Sequence, residues 1–159
     1  MNTQFGTWRD AIRAPARAGE PVVDPAAWEP ESLTASDDWV YRFTAADTAE
    51  IAAAVDSIER RDIDIVDMTR DDFPLPRLGE LLADVRRELL DGLGLAVLRG
   101  LPVADWGPRR ASVAYFGIGH HIGEPISQNA KGHILGHVKD YGKRYEDPLA
   151  RGYQTSAEM

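Results

Sequence analysis

The chain has no cysteine. Disulfides, zinc-thiolate centres and thiol nucleophiles are therefore excluded. No apolar run approaches the roughly 20 residues that a membrane-spanning helix needs. The first residues, MNTQFGTWRDAIRAPARAGEP, lack the apolar core of a secretory signal. They are Arg-rich, but Asp10 and Glu20 argue against a transit peptide, so a cytoplasmic location is the expectation. A glycine-rich phosphate loop is missing too. Gly92-Leu93-Gly94 precedes an apolar run instead of following one, the wrong order for a dinucleotide fingerprint. Nothing like a nucleophile elbow frames Ser112, Ser127 or Ser156. There is no internal repeat.

What remains is an ordinary globular composition, 43% hydrophobic and 28% charged over 159 residues, enough for one domain with a sizeable core. The net charge of −8 is unevenly spread. Residues 101–159 hold seven Lys/Arg and six Asp/Glu, while residues 1–100 hold eleven and twenty. The acidic first part repels nucleic acid and anionic membranes, so neither is expected as a partner. The near-neutral tail suits a small anionic ligand better.

The pattern predicts an α+β fold. Pro15, Pro21, Pro25 and Pro30 deny long helices to residues 1–43, read as an N-terminal arm that Trp8, Trp28 and Trp39 pin to the domain surface. Residues 37–43 contain a short strand with Trp39, Tyr41 and Phe43 on one face. Thr44 is a helix N-cap, with Asp47 in the capping-box position. Ile51, Val55 and Ile58 then recur at helical spacing, giving a helix over 45–60. Ile63 and Ile65 alternate with aspartates, which suggests a half-buried strand. Phe73-Pro74-Leu75-Pro76 leads into a second helix over 76–91, with Leu78, Leu81, Leu82, Val85 and Leu89 as its apolar stripe, ended by Gly92 and Gly94. Leu95 to Leu98 reads as a buried strand. Asp105 and Pro108 start a third helix running toward Gly117 and Gly119.

All four histidines, His120, His121, His133 and His137, lie in the last forty residues. Imidazole is a common metal ligand, but the spacing gives little support. His120 and His121 are neighbours and point apart on a helix or a strand. His133 and His137 have a helical zinc spacing without the Glu of a metalloprotease motif. The glycines among them favour strands and turns, with His133, Leu135 and His137 on one strand face. Tyr153 to Met159 reads as a further strand.

Several stretches taken together resemble the TauD/TfdA-like, or clavaminate synthase-like, Fe(II)/2-oxoglutarate-dependent dioxygenases. They are Gly94-Leu95-Ala96-Val97-Leu98-Arg99-Gly100-Leu101-Pro102, Tyr115-Phe116-Gly117-Ile118-Gly119, Pro125-Ile126-Ser127-Gln128-Asn129, Gly136-His137-Val138-Lys139-Asp140 and Arg151-Gly152-Tyr153-Gln154-Thr155. The resemblance implies that residues 44–159 are the N-terminal part of such a domain: helices followed by the first strands of a double-stranded β-helix, or jelly roll. It also implies Fe(II) and 2-oxoglutarate as cofactors and a small organic substrate that is hydroxylated. Gln128 and Asn129 fall in the stretch that approaches the pocket and binds substrate or cosubstrate. His137 is a further pocket candidate. On a strand, Gln154 and Ser156 share one face and Tyr153 and Thr155 the other; one set lines the cavity.

Such enzymes hold iron with a His-x-Asp/Glu pair and a distant His, and no His-x-Asp or His-x-Glu occurs here. No metal ligand is assigned. The chain alone is expected to be inactive and to bind neither cofactor tightly, and to self-associate or pair with a C-terminal half. The alternative is a stand-alone noncatalytic module that binds a ligand or partner. A small His-site metalloprotein is a third reading.

Overall fold

The computed structural model describes residues 15–127 and 132–136. The chain divides into two units, residues 1–125 and 126–159, and every helix and strand among the described residues lies in the first. The order is α1 (Pro30–Thr34), β1 (Val40–Arg42), α2 (Ala45–Arg60), a 3-10 turn (Ile65–Asp67), α3 (Leu78–Asp91), β2 (Val97–Arg99) and α4 (Val103–Ile122). This is a mixed α and β architecture.

The arm has little regular structure, as its prolines dictate. Its single helix is five residues long and carries a proline in its first turn. Trp28 ties the arm down: its indole N–H donates to the Leu93 carbonyl at 3.1 Å. Trp39 instead bonds the carbonyls of Leu33 and Ser36, closing the arm on itself. Trp8 lies outside the described residues.

Helix α2 begins with the expected reciprocal cap. The Thr44 hydroxyl accepts from the Asp47 N–H, and the Asp47 carboxylate accepts from the Thr44 N–H at 2.8 Å. Ile51, Val55 and Ile58 are buried along one side. Helix α3 has no cap of its own. Glu50 of α2 supplies one, accepting from the N–H groups of Arg77 (2.7 Å) and Leu78 (3.2 Å). These are first-turn donors that a helix leaves unsatisfied. Its buried face is Leu78, Leu82 and Val85. Helix α4 packs against both α2 and α3 and closes the core with Val113, Ala114, Phe116 and Ile118.

β1 and β2 form a two-stranded parallel sheet, in the register Val40–Val97, Tyr41–Leu98, Arg42–Arg99. Both strands are short, and no residue in either is fully buried. Gly100 ends β2 at a φ of +108°, and a Cβ there would stand 2.9 Å from the Phe43 carbonyl oxygen, so only glycine fits.

The structure corrects several expectations. Residues 63–67 do not form a strand: Asp62 has a positive φ of 50°, and the Asp64 carboxylate accepts from the Val66 N–H, which winds Ile65–Asp67 into a 3-10 turn. The second strand is Val97–Arg99, two residues later than the apolar run suggested. Helix α4 starts at Val103, breaks at Gly107 (φ 70°) before Pro108, and runs through Gly117 and Gly119 to Ile122. Residues 132–136 carry a bend and no strand, so His133 and Leu135 do not share a strand face. The other jelly-roll strands expected toward the C-terminus fall outside the described residues.

Candidate functional site

The polar features of the described residues mostly serve the scaffold. Arg110 of α4 meets two α2 carboxylates, Asp56 at 2.7 Å and Glu59 at 2.5 Å, and lies 5.7 Å from the centre of the Trp106 ring. The hydrogen bond that Arg110 donates to the Asp56 carboxylate is the main reason that its pKa is raised. Asp47 is held below the usual carboxylate range by the Thr44 hydroxyl first, then the Thr44 N–H, with the Arg77 guanidinium 3.3 Å away. Tyr41 is pushed up by burial, and by Glu88 and Asp84 of α3.

The end of α4 holds the histidine pair. His121 is buried, and its Nε2 stands 2.8 Å from the Phe73 carbonyl oxygen. A carbonyl only accepts, so Nε2 carries the proton in this arrangement. Its Nδ1 is buried without a partner. His120 turns the other way, edge-on to Phe116 with ring centres 4.8 Å apart, and its Nε2 is also unpartnered. The two rings thus point apart, as adjacency on a helix requires. The Phe73 ring fills the space opposite Gly117, where a Cβ would come within 2.5 Å of it. Sequence reasoning missed this knot of Phe73, Gly117 and His121, because residues far apart in sequence create it.

No group of three or more His, Asp or Glu residues among the described residues is placed to hold a metal ion. A groove of about 300 Å³ lies on the arm, lined by Pro15, Arg17, Glu20 and Val22 among others, and it gathers none of the expected site residues. Gln128, Asn129, His137, Tyr153, Gln154, Thr155 and Ser156 all lie outside the described residues. Of the stretches carrying the resemblance, Gly94 to Pro102 forms β2 and its flanks, and Tyr115 to Gly119 lies within α4. Pro125 to Ser127 is exposed. Among the described residues no helix is long and apolar enough to cross a membrane.

The chain is 31% identical over 141 residues to FR-33289 synthase from Streptomyces rubellomurinus. It is 30% identical over 127 residues to taurine hydroxylase-like protein SAT17 from Stachybotrys chartarum. The similarity supports a distant tie to the TauD-like dioxygenases. The matches take in 88% and 78% of this chain, but only 42% and 32% of those two proteins. The chain therefore matches less than half the length of either relative. No protein-family model matches it.

Proposed function

We propose that this chain is the N-terminal part of an Fe(II)- and 2-oxoglutarate-dependent dioxygenase that hydroxylates a small organic substrate. The observation that carries the reading is the similarity to the two relatives, one of them named a taurine hydroxylase-like protein, over most of this chain. The regular elements support it. Two of the stretches that carry the resemblance fall on β2, which pairs with β1, and on α4, which packs against α2 and α3.

In this reading the helical unit is the support on which a jelly roll is built. Gln128, Asn129 and His137 approach the pocket and bind or orient polar groups of substrate or cosubstrate. Either Tyr153 and Thr155 or Gln154 and Ser156 line the cavity. When bound, Fe(II) with 2-oxoglutarate supplies the O₂ activation that C–H hydroxylation needs. The described residues do not fit such an iron centre, since no three potential ligands among them converge. The ligands then come from polypeptide outside the described residues. The chain by itself is inactive and holds neither Fe(II) nor 2-oxoglutarate tightly, and the cytoplasm is its proposed location.

Two measurements test the reading. Reading the genomic DNA beyond the Met159 codon in all three frames should show a His-x-Asp or His-x-Glu pair, followed by a distant His and Arg. A stop codon with no such remnant sinks the oxygenase assignment. The purified chain, given Fe(II), 2-oxoglutarate and ascorbate, should release succinate only at background. Succinate above background would show that the chain carries a complete site.

A further inference from the structure

We draw no further inference here: the strongest candidate, the side-chain cluster of His120 and His121 at the C-terminal end of α4, with one buried ring nitrogen on each that meets no partner among the described residues, carries nothing, because nothing in the structure shows what ligand or segment meets those nitrogens.

Discussion

Two glycines one half-turn apart on α4 should respond differently to the same substitution. Replacing a glycine inside a helix by alanine adds about 1 kcal/mol of stability through backbone entropy. At Gly119, which is exposed, a Cβ meets nothing within 4 Å, so Gly119→Ala should deliver that gain. At Gly117 the new methyl would stand 2.5 Å from the Phe73 ring. Ordinary carbon contacts lie at about 3.5–4 Å, so the overlap is about 1 Å. Phe73 is fully buried, so the ring has no solvent to swing into. Forcing extra volume into such a site costs about 1–3 kcal/mol. The helical gain is common to both variants and cancels in their difference. Gly117→Ala should therefore be less stable than Gly119→Ala by about 1–3 kcal/mol, and less stable than the parent or equal to it. Urea unfolding followed by circular dichroism measures this, with an unchanged m-value as the check that the denatured state is the same. Phe73→Leu should relieve part of the clash, giving a coupling of at least about 0.5 kcal/mol in a double-mutant cycle. Equal stability of the two alanine variants would refute the packing of Phe73 against α4.

Two further outcomes follow from named contacts. Thr44→Ala removes the hydroxyl that caps α2 and should cost about 1 kcal/mol in the same unfolding assay. Asp72 is held down to a pKa of about 2 by hydrogen bonds from the Thr69 hydroxyl first and from Arg61 next. A depressed carboxyl stabilises the fold above its unfolded value, near 4, and that contribution is lost as pH falls toward 2. Asp72→Asn should flatten the acid limb of a stability–pH profile in that window, and an unchanged limb would count against the assignment.

Local chemistry made much of the fold legible. Thr44 with Asp47 three residues on announced α2, and the bounds 45–60 were readable because cap, alanines and apolar spacing agree. The leucine stripe gave α3 in the same way. The alternation at Ile63 and Ile65 misled because Asp64 spends its carboxylate on the backbone, a turn device that mimics strand spacing. Gly117 looked like a helix end. Its reason for being glycine is a ring 44 positions earlier in the chain, which no local window contains. The pairing of β1 with β2 was hidden likewise, since its partners are more than fifty residues apart. The orientation of His120 against His121 was readable from adjacency, while the carbonyl that holds His121 was not. The expected pocket residues rested on resemblance and fall outside the described part of the chain.

Glu50 carries a consequence for how this unit comes apart. Helix ends usually fray independently, one turn at a time. The first turn of α3 has its N–H groups held by a carboxylate on α2, twenty-seven residues upstream. Opening that turn therefore means releasing the other helix or leaving Glu50 without its amides. The two helices should therefore open together, and the amides of Arg77 and Leu78 should exchange with that block instead of with a loose end.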